Sequence, residues 1–545
     1  MRRDGWRKTG LALLTVTVGS TLALAGCSKD DKPGAQSTAS PSATAASSAA
    51  ASPAATKVPE TKLSLNWFIY APANTNLPSA DKDFVKQAIE KKFNVELKVD
   101  YMAAGTEYLN KVKVLLASTA PDMITLLDGR DPIVETGLIG NIRSYVTAAK
   151  MPNYFKWLGD DKIMSYGQQM MTPDTYYTAP MPYSSSPYRS YYIRKDWLDK
   201  LGLAIPQSYD DYVKVLKAFR NNDPDGNGKK DTYGFTTAAG GAGIGTEWPE
   251  FQKNGLVFPR QIENNKYIDM QLDPRDEGVL DDIIKLINDD LVDPDWFLNK
   301  APQHMEKAIQ GKAGVVLSTD PFVAYDSNPQ GIQVRTKQLF PNANWVPFTM
   351  FPGKPLSTEA QPGNRGPWLF PKKTVDGNPE KVERSMQILE WMAGEEGFLL
   401  THYGLEGKHY TRDGKTIKRN MDAYDAEITK QGDFLRIWSF MTPDYPAQFG
   451  LTVDNPRLTA HDREIEAFLN KLPYIDDVGT SLKPPAGTDN TAMRNKQKEY
   501  MAKAIFDDKS AKNWPQYYKD VMTTYKADQI FAAYEDQIKK VGRIK

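Results

Sequence analysis

The chain has one cysteine, Cys27, and only four histidines among its 545 residues. A single thiol excludes intrachain disulfides. The histidines are His304, His402, His409 and His461, and none pairs with another at metal-ligand spacing. Net charge is missing as well. Lys and Arg total 68 and so do Asp and Glu, so nothing suggests nucleic acid or an anionic surface as partner. No Gly-x-Ser-x-Gly elbow, His-Glu-x-x-His pair or Walker A loop is present. The glycine run Gly240–Gly245 follows a strand-like segment, but Thr246 stands where a dinucleotide fingerprint needs its last glycine. It reads as a flexible turn.

What is present begins at the N-terminus. Arg2, Arg3, Arg7 and Lys8 precede an apolar run from Leu11 to Ala25. The run is shorter than the ~20 residues a bilayer-spanning helix needs, so it reads as the core of a secretory leader. It ends in Leu24-Ala25-Gly26-Cys27, which resembles a bacterial lipobox. That motif implies cleavage after residue 26 and lipidation of Cys27, and once lipidation takes the thiol no thiolate is left for a metal site. Residues 27–59 are rich in Ser, Ala, Thr and Pro and have almost no large apolar side chains. Such a stretch cannot bury enough surface to offset chain entropy, so a disordered tether is expected. The expected location is the extracellular face of a cell membrane, and a tether of this length suggests a single-membrane bacterium.

Beyond the tether the pattern changes. Lys62–Phe68 reads as a strand, and Asp83–Phe93 as a helix with Val85, Ile89 and Phe93 on one stripe. Asn94–Val99 reads as a strand, Tyr108–Ala117 as a helix, and Asp122–Leu127 as a strand buried on both faces. The rhythm recurs with strands at Tyr191–Ile193, Tyr233–Thr237 and Gly314–Leu317. Helices follow at Trp197–Leu201, Ser208–Arg220, Gly278–Asp289 and Glu380–Ala393, and the stretch from Met493 to Ile544 is mostly helical. Two α/β units with parallel sheets are expected. The aromatic content, 11 Trp, 27 Tyr and 21 Phe, suits ring stacking on sugars or ordinary core packing.

One loop stands out. In Asn221–Thr232, side chains of Asp223, Asp225, Asn227 and Asp231 fall at positions 1, 3, 5 and 9 of an EF-hand-like calcium loop. Gly228 occupies the sharp-turn position, and Lys229 would offer its backbone carbonyl. Position 12 is Gly234 rather than a bidentate Glu, so Thr232 or water is expected to complete the site. A strand-like segment follows the loop, which argues for a structural calcium rather than a helix–loop–helix switch.

Several segments together resemble the extracellular solute-binding proteins of bacterial ABC importers, in the group that binds sugars and oligosaccharides, including the alginate-oligosaccharide binders. They are Ala120–Ile124 with Gly137–Ile139, Tyr192–Gly202 (YIRKDWLDKLG), Asp223–Asp231, Gly311–Gly314 and Gly404–Tyr410, with the lipobox at Cys27. Thr232 departs from the acidic residue often found there. The resemblance implies an α/β, two-lobe periplasmic-binding-protein-like (type II) fold that closes like a hinged trap on its ligand. By analogy lobe one is 62–182 plus 322–393, and lobe two is 187–320 plus 397–545, carrying the calcium loop.

It also implies an oligosaccharide ligand, delivery to separate permease subunits, a lipid anchor as the only membrane contact, no nucleic acid, no catalysis and a monomer. Sugar recognition needs ring faces and hydrogen-bonding groups at strand ends and hinges. The expected contacts are Trp67, Asp128, Arg130, Tyr183, Arg189, Glu247, Trp248, Asp320, Arg365, Trp368 and Trp438. Trp157, Trp197, Trp391 and Trp514 fall on helices and read as packing, and Glu406 and His409 as structural. Two alternatives stay open. A secreted calcium-dependent polysaccharide-degrading enzyme would need only two facing carboxylates, and the same fold could carry a peptide or other non-sugar cargo.

Overall fold

The computed structural model of the chain describes residues 59–72, 74–103, 106–126, 133–158, 174–179, 189–359, 368–443, 446–480 and 482–545. Cys27, the leader and nearly all of the tether lie outside these residues, as do Asp128, Arg130, Tyr183 and Arg365.

The first body starts with β1 (Leu63–Ala71), β2 (Val95–Ala103) and β3 (Met123–Thr125), with β2 and β3 each parallel to β1. The helix Phe84–Phe93 joins β1 to β2. Asp83 caps it by accepting from the Lys86 N–H, and Asn94 ends it in the left-handed region. Its Val85, Ile89 and Phe93 turn inward, so the apolar stripe seals one face of the sheet.

The second body holds β4 (Ser190–Arg194), β5 (Tyr233–Phe235), a hairpin of β6 (Arg260–Glu263) and β7 (Lys266–Asp269), then β8 (Ala313–Ser318) and β9 (Trp345–Phe348). Its sheet has the order β5-β8-β4-β9, with β5 parallel to β8 and β4 antiparallel to both its neighbours. The helix Tyr209–Asn221 is capped by Ser208, which accepts from the Asp211 N–H at 3.1 Å.

The chain then returns. β10 (Trp368–Leu369) adds antiparallel to β3, so the first sheet reads β10-β3-β1-β2. β11 (Tyr410–Asp413), β12 (Thr416–Arg419) and β13 (Thr452–Asp454) form a small satellite sheet. The last helices, Asn490–Phe506, Trp514–Thr523 and Ala527–Lys540, pack back into the second core.

This path corrects the expected lobe boundaries. Residues 322–359 were expected in lobe one, yet β9 pairs with β4, and Val323, Tyr325, Ile332 and Trp345 pack on Tyr192 and Val316. Conversely, Ile428, Phe434, Leu435, Ile437, Trp438 and Met441 join Trp67 in the first core, and the helix Glu395–Tyr403 packs on the helix Leu435–Ser439. The first body is therefore 59–179 with 368–453, and the second is 189–359 with 460–545. The chain crosses between them three times, and the third crossing, at 454–459, lies wholly within the described residues. Arg457 there pairs with Asp425 of the first body. At its far end Asp462 accepts from the backbone N–H groups of Thr459 (3.0 Å) and Asp326 (2.6 Å).

Candidate ligand cavity and calcium loop

In the first body, Tyr70 near the end of β1 packs against Phe440 at 4.4 Å, beside the helix Leu435–Ser439. In the second, β8 ends at Ser318, and the Asp320 carboxylate accepts from the Phe322 N–H at 2.9 Å. Beside the Asp320 turn lies a cavity of about 750 Å³, within the usual range for small-molecule sites. Asp320, Phe322 and Tyr325 line it from the second body. His402, Tyr403, Arg419, Arg436 and Ser439 line it from the first, and Asn455 and Leu458 of the third crossing flank it.

The wall mixes aromatic faces with charge. Phe322 and Tyr325 meet edge to face at 5.3 Å. The Arg419 guanidinium lies 4.6 Å from the Tyr424 ring centre and 5.8 Å from that of Tyr403, and its buried Nε has no acceptor. Arg436 stands 3.6 Å from Asp433. A larger hollow, about 890 Å³, is lined by Lys91, Lys92, Trp391, Glu395 and Arg412, but it belongs to the first body alone and does not meet the seam.

Of the sugar-contact residues expected from sequence, Asp320 lies in the cavity wall. The four tryptophans do not, and this corrects the expectation of stacking platforms. Trp67 is fully buried and its indole donates to Ser385 Oγ at 3.2 Å. The sequence suggested a strand ending at Phe68, but β1 runs on to Ala71, so Trp67 is mid-strand and faces the helix layer. Trp438 is buried and donates to Asp83 Oδ2 at 3.2 Å. Trp368 packs on Tyr154 at 5.2 Å, and Trp248 meets Phe235 and Trp296 edge to face.

Arg189 is also committed inside the second body. Its guanidinium lies 4.1 Å from the Phe258 ring centre and donates to the Thr246 carbonyl. Burial holds it below the ordinary arginine range. Glu247 accepts from the Thr237 hydroxyl and from the Ala238 N–H at 3.4 Å, which braces the glycine turn. Neither lines the cavity. The residues missed, Phe322, Tyr403, Arg419 and Arg436 among them, come from stretches with no shared motif, and only tertiary folding gathers them.

The candidate calcium loop is built locally. Asp223 takes a left-handed backbone (φ 49°), and its carboxylate accepts from the N–H groups of Gly226, Asn227 and Gly228, each at 3.0 Å. Gly228 is also left-handed, at φ 74°, a conformation glycine adopts without strain. Asn227 Nδ2 donates to Asp225 Oδ2 (2.8 Å) and Asp231 Oδ1 (3.1 Å). Burial, then the neighbouring Asp223 and Asp231, push the Asp225 carboxyl above its ordinary value. A carboxyl raised in this way by the acids beside it suits a hard cation.

Asp223, Asp225, Asn227, Asp231 and the Lys229 carbonyl would hold the ion. Thr232 would not, which corrects the expectation from sequence. It is buried, and its hydroxyl donates to the Phe219 carbonyl at 2.7 Å. A second group, Asp326, His461 and Asp462, also has its ligand atoms within 4.8 Å of one another. Asp462 is occupied by two backbone N–H groups, and Lys337 Nζ lies 2.7 Å from Asp326. This group stitches the third crossing to the second body.

Two α/β bodies, joined by repeated crossings around a polar and aromatic seam cavity, define a two-lobe solute-binding protein. The chain belongs to the bacterial extracellular solute-binding protein family, which matches residues 85–407. It is 27% identical over 429 residues to lipoprotein LipO of Bacillus subtilis (strain 168), covering 75% of this chain and 78% of LipO. It is 24% identical over 430 residues to the polygalacturonan/rhamnogalacturonan-binding protein YtcQ of the same strain, covering 76% of each. An HMO-binding, ABC-transporter-associated solute-binding protein from Bifidobacterium longum infantis ATCC 15697 superposes with a TM-score of 0.67. It shares 17% identity and covers 89% of this chain and 100% of that one. That likeness establishes the two-lobe fold expected from sequence.

Proposed function

We propose that this protein captures an oligosaccharide in the cavity between its two bodies and hands it, unaltered, to the permease of an ABC importer. The observation that carries the reading is the seam cavity itself. It brings Phe322 and Tyr325 opposite Arg419, Arg436 and Ser439, and that combination supplies ring faces for sugar C–H groups and charged donors for hydroxyls. The relative named for polygalacturonan and rhamnogalacturonan binding supports a carbohydrate cargo.

The proposal extends to a lipid anchor at Cys27 on the extracellular face, a monomeric state and a structural calcium in the Asp223–Asp231 loop. The lipobox and a lipoprotein relative support the anchor. More than one acyl chain is needed for stable attachment. The calcium would tie the helix Tyr209–Asn221 to β5, and Lys312, 2.7 Å from Asp231, ties the loop to β8.

The test is thermal unfolding of the purified protein with calcium, against neutral oligosaccharides, uronic oligosaccharides and peptides, with each sugar analysed afterwards. A raised Tm with intact sugar is expected. Shortened sugar would replace this reading with an enzyme, and a shift with peptides alone would change the cargo.

A further inference from the structure

Most buried or half-buried arginines here have a carboxylate at hand. Arg194 pairs with Asp196, Arg220 with Asp290, Arg260 with Asp477 and Arg494 with Asp269. Arg419 differs. Among the described residues no carboxylate lies within 4.0 Å of its nitrogens, and its buried Nε has no acceptor. The flat side of the group rests instead on Tyr424, with Tyr403 beyond. Two rings restrict how the fork can turn, so little freedom remains to be lost when a ligand binds.

The surroundings sharpen the point. Arg419 lines the seam cavity with Arg436, whose contact to Asp433 is loose at 3.6 Å. Asp320, on the opposite wall, is the one acidic side chain among the described lining residues. Cargo seated in the cavity would take water from Arg419. Among the described residues, a neutral sugar would leave this cation with only Asp433, beyond 4.0 Å and shared with Arg436, and the Tyr424 side chain to offset it, and a weakly compensated desolvated charge is costly. A carboxylate on the cargo would offset that cost and meet the fork with paired, charge-assisted hydrogen bonds.

We propose that Arg419 is the carboxylate-binding residue of an acidic-sugar subsite. A uronic acid unit places its carboxylate on Arg419, with Arg436 adding positive potential, its apolar face on Phe322 and Tyr325, and a hydroxyl on Asp320. This rests on the seam cavity being the oligosaccharide site.

The experiment is calorimetric titration of the purified full-length protein with tetragalacturonate and tetramannuronate, each beside its fully methyl-esterified form, and with a neutral galactose tetramer. At least one acid is expected to bind about 10-fold or more tighter than its ester. Arg419→Gln is expected to weaken acid binding roughly 10- to 100-fold and leave ester binding unchanged. Arg419→Lys is expected to restore part of the loss, because it returns charge without the fork. Esters binding as well as acids would overturn the proposal, as would Arg419→Gln weakening both alike. Binding of the neutral tetramer alone would overturn it and leave the cavity reading standing, whereas no saccharide binding would sink both. If Arg419→Gln does not fold, Arg419→Lys and Arg436→Gln give the same acid-against-ester comparison.

Discussion

In the first body, Trp67, Trp368 and Trp438 are fully buried, and two of them pass their indole N–H to Ser385 and Asp83. In the second, Trp197, Trp248 and Trp514 are buried too, and more charge goes in with them than the Asp83 and Asp122 of the first. Arg494 meets Asp269 at 2.8 Å, Arg260 meets Asp477 at 3.2 Å, and Glu250 and Asp276 are entirely enclosed. Burial pushes Glu250 up to about 7 and Asp276 well above its ordinary value. The first core, where Asp83 is the carboxyl raised by burial beneath Trp438, answers mainly to packing. The second, with more buried charge, answers more strongly to pH, and it punishes the loss of one partner of a pair more than the absence of both.

The contrast can be broken from either side, with calorimetry of the intact protein resolving the two bodies. The largest effect expected is in the first. Trp438→Ala should cost about 3–5 kcal/mol by opening a cavity, and it also strips Asp83 of a donor. A change felt equally in both transitions would mean that the bodies do not unfold separately. Next comes Arg494→Ala, which leaves Asp269 buried without its cation and should cost about 3 kcal/mol in the second body. Restored stability in the double variant Arg494→Met with Asp269→Leu would locate the cost in the orphaned charge.

The third effect is one of pH. A carboxyl with a raised folded-state pKa favours folding while it is protonated. The contribution of Glu250 is therefore complete below 4.5, its ordinary value, and is lost as pH rises through about 7. Between those limits wild type should lose about 3 kcal/mol relative to Glu250→Gln. Parallel stability–pH curves for the two would remove Glu250 from the account. The smallest effect is calcium removal, expected to lower the second transition by roughly 3 °C and leave the first in place. Asp225→Ala should show the lower value with or without chelator.

The second body's local features were the legible ones. The Ser208 cap and the alternating acids of the calcium loop lie within a few residues of one another, where spacing alone fixes geometry. The helix stripe Val85, Ile89 and Phe93 was equally readable. What escaped was set at long range. β9 has four residues and β10 has two, too few to carry a periodicity, yet their pairing decides to which body 322–359 and 368–453 belong. Trp67 was misread because the last residues of β1 continue past an apparent end. Thr232 looked like a ligand because the sequence does not show that its hydroxyl is already spent on Phe219. The cavity wall draws on segments between Asp320 and Leu458 that no local pattern connects.

The three crossings have a consequence for how such a chain can be exported. The polypeptide visits the bodies in the order first, second, first, second. A chain emerging N-terminus first leaves both cores unfinished for most of its passage. Trp67 waits for Ser385 and the helix Leu435–Ser439, and the second core waits for the three C-terminal helices. An unfinished core resists threading less than a finished one, so interleaved connectivity keeps the chain pliable inside a narrow conduit. The three final helices are the last pieces of the second core to arrive.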